Sequence, residues 1–387
     1  METKSNSADG ALIKNLQKGI GLYVHIPFCV RKCLYCDFCS VAVDAVLRGR
    51  YVDALIAEIE SYRGRINYCV NSIFFGGGTP SILSAEEFVK IVASIRAVFD
   101  ISENCEFTVE ANPRTLTSAK LEAYKSCGVN RLSIGMQSIH EKELKKLGRI
   151  HTFEDFFVSF GMARAAGFSN INVDLMYGIP GQTLRSLKKT VNTLVALSPE
   201  HISCYGLIIE ENTPFFEMKN ELDLPGEEEE YRMYEYICDK LGEAGYSHYE
   251  ISNYAKAGFE CRHNLKYWHD EEYIGIGVSS HSYFEGRRFY NSNGFSEYFS
   301  YDEAKYRQRE NELSGIQKDE YIMLRLRLSE GIVFRDYQLI FGESFTTGRE
   351  NLLQSFVRAG YAVFDEHRFA LTEKGFYLSN SIISQLI

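Results

Sequence analysis

The chain contains 387 residues, of which 45% are hydrophobic and 24% are charged, and its formal net charge at pH 7 is −10. This composition is typical of a globular protein that is long enough for one large and one smaller domain. The acidic balance argues against a general nucleic-acid-binding protein, because phosphate contacts require a basic surface. We expect a cytoplasmic protein without a transmembrane span. No stretch approaches the roughly 20 apolar residues of such a span, and the first residues lack the apolar run of a signal peptide.

After a predicted N-terminal tail at 1–20, short apolar runs alternate with longer amphipathic segments. Six runs predict strands, at 21–27, 71–77, 106–112, 131–137, 170–178 and 201–207. The segments between them show the spacing of a buried helix face, at 43–62, 84–99, 116–126, 153–166 and 183–197. This alternation indicates an α/β fold of βα units around a parallel sheet, which right-handed crossovers curl into a full or partial barrel. We predict that the barrel domain covers 21–245.

Polar residues and glycines gather at the predicted carboxyl ends of these strands. Cys29 follows the first strand, Gly76–Thr79 follows the second, and Glu110 and Gln137 end the third and fourth. Function in parallel βα folds is concentrated at this edge of the sheet. The pattern therefore predicts a functional rim.

Two further regions follow the predicted barrel. Residues 246–315 are expected to mix strands and loops in a connecting region that packs on the barrel. Two predicted helices (316–328 and 347–358), a hairpin and a final amphipathic helix favour a small α+β, winged-helix-like domain at 316–387. Since no basic recognition helix is evident there, we expect it to serve structure or partner docking rather than DNA binding.

The strongest chemical motif is a cysteine loop. Four of the ten cysteines fall within Cys29–Cys39, and Cys29, Cys33 and Cys36 have the spacing C-x3-C-x2-C. Thiolates at short loop spacings are typical iron–sulfur ligands. Three ligands for a [4Fe–4S] cluster leave one iron open to S-adenosylmethionine, whereas a structural zinc site usually shows two cysteine pairs. Cys39 is either a free thiol beside the cluster or a fourth ligand that would close the open iron.

Several motifs in a fixed order then carry a resemblance over nearly all of residues 20–387. They are YVHIPFC (23–29), GGGTPS (76–81), EANP (110–113), GVNRLSIGMQS (128–138), LGRIH (147–151) and DLMYGIPGQT (174–183). The chain resembles the anaerobic coproporphyrinogen III oxidase-like family of radical S-adenosylmethionine (radical SAM) proteins. This resemblance implies a partial (β/α)6 TIM-like barrel. Three segments resemble the heme chaperone branch of the family: CDF (36–38), EISNYA (250–255) and HNLKYW (263–268).

The resemblance also implies which residues bind S-adenosylmethionine. Gly77, Gly78 and Thr79 would pass close to the methionine moiety, since glycines let the backbone approach a ligand. Glu110 and Gln137 would hydrogen-bond the ribose or the amino group, and Arg149 would pair with the carboxylate through its planar donor fork. The remaining implied residues are Asp174 on the nucleotide side, and Tyr23, Tyr35 and the backbone near Ile208.

For a tetrapyrrole, the resemblance points to the HNLKYW segment. His263 would be an axial ligand of heme iron and Tyr267 and Trp268 would stack on the macrocycle, with His25 and His281 as rival histidines. The alternative interpretation is that this cluster packs the interface between the barrel and the C-terminal region.

Two functions stay open at this point. The first is a heme chaperone that passes heme to an acceptor protein and takes electrons from a donor such as flavodoxin or ferredoxin. The second is an oxygen-independent coproporphyrinogen III oxidase. Those enzymes show a fourth cysteine two positions after the third, where this chain has Phe38.

Overall fold

A computed structural model describes residues 19–310 and 315–387. The predicted N-terminal tail lies, up to residue 18, outside the described residues. The first eight strands are β1 (Ile20–Ile26), β2 (Phe28–Cys29), β3 (Val41–Ala42), β4 (Cys69–Gly77), β5 (Asp100–Ala111), β6 (Arg131–Gln137), β7 (Ile171–Tyr177) and β8 (His201–Gly206). The helices among and after them are α1 (Ala45–Ser61), α2 (Ala85–Val98), α3 (Ser118–Ser126), α4 (Glu141–Lys146), α5 (Phe153–Ala165), α6 (Leu184–Leu197), α7 (Pro214–Glu217) and α8 (Glu227–Glu243).

The rest of the described chain alternates shorter elements. Residues 246–310 form β9 (Ser247–Glu250), β10 (Asn253–Ala255), α9 (Arg262–Trp268), β11 (Tyr273–Ile276), β12 (His281–Phe284), β13 (Arg287–Asn291), α10 (Phe295–Tyr298), α11 (Glu303–Tyr306) and β14 (Arg307–Arg309). Residues 315–387 form α12 (Lys318–Arg325), β15 (Ile332–Val333), α13 (Phe334–Phe341), α14 (Glu350–Arg358), β16 (Ala362–Phe364), β17 (Arg368–Leu371), α15 (Glu373–Tyr377) and α16 (Ser379–Ile383). Across both described ranges, no helix has the length and apolarity that crossing a membrane requires.

The described residues form a twelve-stranded sheet whose centre is the parallel series β1-β4-β5-β6-β7-β8. This series confirms the predicted partial (β/α)6 barrel. Every residue of β6 is buried, as expected for a parallel strand that is covered on both faces. The strand β5 begins six residues before the predicted run. Its start, at Asp100 and Ile101, already pairs with β4, and a register shift after Val70 separates this start from the predicted apolar part.

The segment 246–310 extends the barrel sheet at both edges. The strands β10 and β9 add to β8, while β11 lies parallel to β1 and leads into β12–β14. The carboxylate of Glu58 on α1 holds this second edge. It accepts hydrogen bonds from the Tyr298 hydroxyl (2.6 Å), Asn291 Nδ2 (2.7 Å), the Gly277 N–H (2.8 Å) and Arg307 Nη2 (3.2 Å). The limits of the predicted connecting region stay a prediction, although its strands are continuous with the sheet.

The C-terminal region has the predicted winged-helix arrangement. A helix, a short strand and two helices lead into the β16–β17 hairpin, and the small sheet has the order β15-β17-β16. Its own core includes Tyr321, Phe345 and Phe369. The predicted final helix is divided into α15 and α16 at Leu378, whose backbone leaves the helical conformation (φ −103°, ψ 15°).

Candidate cluster and cofactor site

The cysteine loop leaves the carboxyl end of β1 and is fixed at both ends and in the middle. The Val41 N–H donates to the Pro27 carbonyl (2.8 Å) and the Val43 N–H donates to the Cys29 carbonyl (2.8 Å). In the middle, the Leu34 N–H donates to the Leu147 carbonyl (3.1 Å). The loop therefore presents Cys29, Cys33 and Cys36 as half-buried free thiols on a defined backbone.

The surroundings of these thiols fit an iron–sulfur cluster. The Thr79 hydroxyl donates to Cys29 Sγ (3.5 Å), and Arg149 Nη1 donates to Cys33 Sγ (3.6 Å). Such donors are found around the sulfurs of iron–sulfur clusters, where they tune the reduction potential. Burial raises the pKa of Cys29 and raises that of Cys36 to about 11, so a bound cation is needed to keep these sulfurs as thiolates.

The cysteine pattern also argues against a structural zinc site. Such a site usually shows two cysteine pairs, and beyond this loop the sequence has no second C-x2-C pair. Cys39 is half-buried, and its carbonyl accepts a hydrogen bond from His25 Nε2 (2.9 Å).

The glycines at the end of β4 let this strand pack closely against β1 and the start of the cysteine loop. Gly77 has φ +109°, and a Cβ there would lie 2.5 Å from Cε1 of His25. A Cβ on Gly78 would lie 2.8 Å from the Phe28 carbonyl oxygen. Close packing against β1 and the start of the loop thus requires glycine at both positions. Contact between these glycines and the methionine moiety stays a prediction.

Three of the predicted cofactor residues converge on Gly135 in β6. A Cβ at Gly135 would lie 2.9 Å from Arg149 Nη2, 3.1 Å from Gln137 Nε2 and 3.7 Å from Asp174 Oδ2. Arg149 Nη2 also donates to the Gly135 carbonyl (3.1 Å). Gln137 adopts φ +64°, and none of the described residues donates to its buried Oε1. A buried acceptor without a donor is costly, so this atom marks a place where a ligand N–H or O–H fits.

The electrostatics of this rim suit a zwitterionic ligand. Burial, with a smaller contribution from Asp174, raises the pKa of Glu110 to about 8. Burial also raises the pKa of Asp174, although Asn172 and Arg149 oppose the shift. For Arg149, burial lowers the pKa, but Tyr35 and Cys33 outweigh it and raise the pKa overall. The rim therefore combines one permanent cation with two carboxyl groups, which would release their protons to solvent when a cationic ligand binds beside them.

The remaining predicted cofactor residues are Tyr35, Tyr23 and Ile208. Tyr35 packs with Leu147 beside Arg149, and the hydroxyl of Tyr23 is hydrogen-bonded to His25 Nδ1 (3.0 Å). Ile208 follows β8 and is 67% exposed, so only its backbone is suited to the predicted contact, which stays a prediction.

Sequence reasoning missed a polar network inside the barrel. Asn172 Nδ2 donates to Ser133 Oγ (2.8 Å) and to Asp174 Oδ1 (2.7 Å), and Asn172 Oδ1 lies 2.7 Å from His201 Nδ1. His201 Nε2 in turn lies 2.8 Å from the Tyr249 hydroxyl. The network orients the carboxylate of Asp174 through hydrogen bonds to its Oδ1. Its signal in the sequence was the alternation of Asn172 and Asp174 within an otherwise apolar strand.

The HNLKYW segment forms α9, and its three predicted heme residues do not share one surface. His263 is 1% exposed; its Nδ1 lies 2.9 Å from Ser72 Oγ and its Nε2 lies 2.8 Å from the Tyr267 hydroxyl. Burial lowers its pKa to about 3. Both nitrogens are engaged, so ligation of heme iron by His263, which stays a prediction, would require one of these hydrogen bonds to break. Trp268 faces the C-terminal region, with its ring centre 5.8 Å from the guanidinium carbon of Arg327.

Comparisons with known proteins agree with this geometry. The model of the radical SAM superfamily matches residues 23–194, and that of the HemN C-terminal domain matches residues 319–378. The heme chaperone HemW of Bacillus subtilis (strain 168) is 38% identical over 372 residues, which cover 94% of this chain and 98% of that protein. HemW of Escherichia coli (strain K12) is 34% identical over 372 residues, which cover 94% of this chain and 97% of that protein.

Among solved structures, the coproporphyrinogen III oxidase HemN from Escherichia coli matches with a TM-score of 0.79 and 22% identity. That match covers 97% of this chain and 93% of the HemN chain, and at this identity it shows the fold alone. The relatives at 34–38% identity cover nearly the whole of both chains, and the cysteine loop and the rim are those of a radical SAM protein. The chain belongs to the HemW family of radical SAM proteins.

Proposed function

We propose that this protein is a heme chaperone that binds a [4Fe–4S] cluster, S-adenosylmethionine and heme and passes heme to an acceptor protein. The relatives named as heme chaperones support this function, and one structural observation carries it. An open cavity of about 420 Å³ adjoins the cysteine loop. Its volume is within the range of ligand sites. It is lined by Tyr23, His25, Asp37, Phe38, Cys39, Tyr267, Tyr273, Ser279 and His281.

The lining of the cavity suits a flat aromatic macrocycle. Tyr267 and Tyr273 meet edge to face, with ring centres 4.6 Å apart, and Phe38 is 62% exposed at the mouth. Aromatic rings offer both stacking faces and apolar area. An open mouth is also what a carrier needs, because a chaperone must release its heme to another protein.

Among the histidines considered for heme, His281 is the one whose imidazole is accessible to iron. Both nitrogens of His25 are engaged, with the Tyr23 hydroxyl (3.0 Å) and the Cys39 carbonyl (2.9 Å). The side chain of His281 is 55% exposed, and its Nδ1 lies 3.7 Å from Glu310 Oε2. No described residue hydrogen-bonds its Nε2. A carboxylate at the far nitrogen is a common partner of metal-ligating histidines. We therefore place the axial ligand at His281 instead of His263.

The rim residues would hold the other two groups. When bound by the cysteine loop, a [4Fe–4S] cluster supplies one-electron chemistry and an open iron corner for S-adenosylmethionine. Arg149 can pair with the methionine carboxylate, and Gln137 Oε1 and Glu110 can accept hydrogen bonds from the amino group or ribose. A flavodoxin or ferredoxin is the proposed electron donor, and the acceptor is a protein that requires heme.

The decisive experiment is a heme titration of anaerobically reconstituted protein, followed by absorbance. We expect a Soret band that saturates at one heme per chain. The His281→Ala variant should bind at least tenfold more weakly, and His367→Ala, which removes an exposed histidine of the C-terminal hairpin that does not line the cavity, should bind as the wild type does. A wild-type protein without a Soret change would overturn the chaperone function. An unchanged titration of His281→Ala would overturn only the assignment of the ligand.

The same sample tests the alternative function. Coproporphyrinogen III is added with S-adenosylmethionine and a reductant, and the product is separated by chromatography. We expect no protoporphyrinogen, since Phe38 stands where the oxidases have their fourth cysteine. Turnover would assign the protein to porphyrin synthesis.

A further inference from the structure

A second set of potential metal ligands lies far from the cysteine loop, where the barrel meets the C-terminal region. Cys238 is on α8, His248 is on β9, and Glu373 is the first residue of α15. One ligand atom of each lies within 4.8 Å of the others. Sulfur, imidazole nitrogen and carboxylate oxygen together form a ligand set that zinc prefers.

The imidazole of His248 is oriented as metal-bound histidines are. Its Nε2 lies 3.3 Å from the Ile251 carbonyl oxygen, which fixes the proton on Nε2 and leaves the lone pair on Nδ1. Nδ1 is buried, and none of the described residues hydrogen-bonds it. Tyr254 stacks on the ring at 4.0 Å between centres, with an angle of 15°. Burial lowers the pKa of His248 to about 4, so the ring is neutral near pH 7.

The thiol of Cys238 has a neighbouring donor that would support its thiolate. Its Sγ lies 3.2 Å from the Tyr254 hydroxyl, which can donate a hydrogen bond to a thiolate. Burial nevertheless raises the pKa of Cys238 to about 11. The thiol therefore stays protonated unless a cation lies beside it.

Glu373 supplies the third ligand. Its side chain is on an exposed residue, while its backbone carbonyl accepts a hydrogen bond from the Tyr234 hydroxyl (2.9 Å). Ligand atoms around one tetrahedral zinc are about 3.6 Å apart for S and N, from bond lengths of about 2.3 and 2.0 Å. The three ligand atoms lie within 4.8 Å of one another, so they would approach one another further when a cation binds between them.

We propose that Cys238, His248 and Glu373 bind a zinc-type divalent cation that joins α8 and β9 of the barrel to α15 of the C-terminal region. Water completes the fourth position on the exposed side. This site does not depend on the proposed heme function, because none of its residues reaches the cysteine loop or the cavity.

The test uses full-length protein with its cluster loaded anaerobically, so that the loop cysteines are occupied. Cobalt(II) is the probe, because a thiolate ligand gives it a charge-transfer absorption, and zinc content is measured by atomic emission after gel filtration. We expect one cobalt or zinc per chain with iron unchanged. Cys238→Ser should abolish the thiolate absorption, and Glu373→Gln should weaken binding at least tenfold. Cys127→Ser, a buried cysteine elsewhere in the barrel, and Glu366→Gln, an exposed glutamate of the same C-terminal region, should change nothing.

Three results would overturn the proposal. They are no binding by the wild type, binding that persists in Cys238→Ser, and zinc uptake that occurs only as iron is lost from the cluster. Far-UV circular dichroism and iron content confirm that each variant is folded before it is scored.

Discussion

Replacing Gly77 by alanine tests how β4 and β1 support the cysteine loop. A Cβ at this position would lie 2.5 Å from Cε1, 2.6 Å from Nδ1 and 3.0 Å from Nε2 of His25. The ring cannot easily move away, because its nitrogens are held by the Tyr23 hydroxyl (3.0 Å) and the Cys39 carbonyl (2.9 Å). Relief of the clash therefore requires the hydrogen bond to the loop at Cys39 to break.

The expected cost follows from two effects. A non-glycine residue at φ +109° is strained by about 1–3 kcal/mol. Insertion of a methyl group into a packed site costs about 1–3 kcal/mol more. We expect Gly77→Ala to lower the free energy of unfolding by about 2–6 kcal/mol, a large part of the 5–15 kcal/mol typical of a folded protein. Iron content after reconstitution should fall as well, since the loop loses its support.

The matched control is Gly49→Ala in α1, where a Cβ would meet no atom within 4 Å. Alanine in a helix interior is favoured over glycine by about 1 kcal/mol, so this variant should be slightly stabilised. Both variants are compared by urea denaturation, followed by circular dichroism, and by iron analysis. If Gly77→Ala unfolds at the wild-type urea concentration and retains its iron, the ring of His25 does not hold the loop.

Three further changes test the site and the sheet. The folded protein without ligands binds a proton at Glu110 up to about pH 8, whereas an unfolded glutamate loses it near pH 4.3, so stability should fall as the pH rises from 5 to 8. In the Glu110→Gln variant, the melting temperature should therefore depend less on pH between 5 and 8 than it does in the wild type. If the melting temperatures of the two proteins change with pH in parallel, Glu110 is not the group that binds this proton. Glu58→Ala leaves buried donors without an acceptor and should cost about 3–5 kcal/mol in urea denaturation. Glu60→Ala, which removes a surface ion pair from the same helix, should cost under about 1 kcal/mol. Arg149→Lys loses the planar fork and should weaken S-adenosylmethionine binding in calorimetry at least tenfold while iron content is maintained; equal affinity would exclude a bidentate contact.

Much of the barrel could be predicted from the sequence, because a parallel strand buried on both faces leaves a continuous apolar run. The strand β6 occupies the predicted residues 131–137, and β8 differs from its prediction by one residue. The cysteine spacing and the strand-end residues were equally local signals. Their convergence around Gly135 follows from the fold, since parallel strands bring their carboxyl ends to one edge.

The two sheet edges could not be predicted, because they depend on pairing between distant segments. Tyr23 in β1 lies beside Gly275 in β11, about 250 residues away in sequence, and no local pattern encodes that choice. The buried carboxylate of Glu58 was similarly hidden. On α1 it is one charged residue of an amphipathic helix, and only the arrival of Asn291 and Arg307 makes it an internal anchor.

The HNLKYW segment shows why a compact motif can mislead about which residues contact a ligand. On a helix, His263 and Tyr267 share a face at i, i+4, while Trp268 is rotated away by about 100°. Glu106 accepts hydrogen bonds from the N–H groups of Arg262 and His263 (both 3.0 Å), and Arg325 donates to the carbonyl oxygens at the other end of α9. The helix is thus held at both ends.

Within that helix, a chain of hydrogen bonds runs from Ser72 through His263 to the hydroxyl of Tyr267, whose ring forms one wall of the cavity. His263 therefore positions Tyr267 and need not touch heme. His263→Ala and Tyr267→Phe should then weaken heme binding to a similar degree and leave the Soret maximum in place, because the proposed axial ligand, His281, is unchanged. A shifted maximum in His263→Ala alone would instead mean that the helix opens and that His263 ligates the iron.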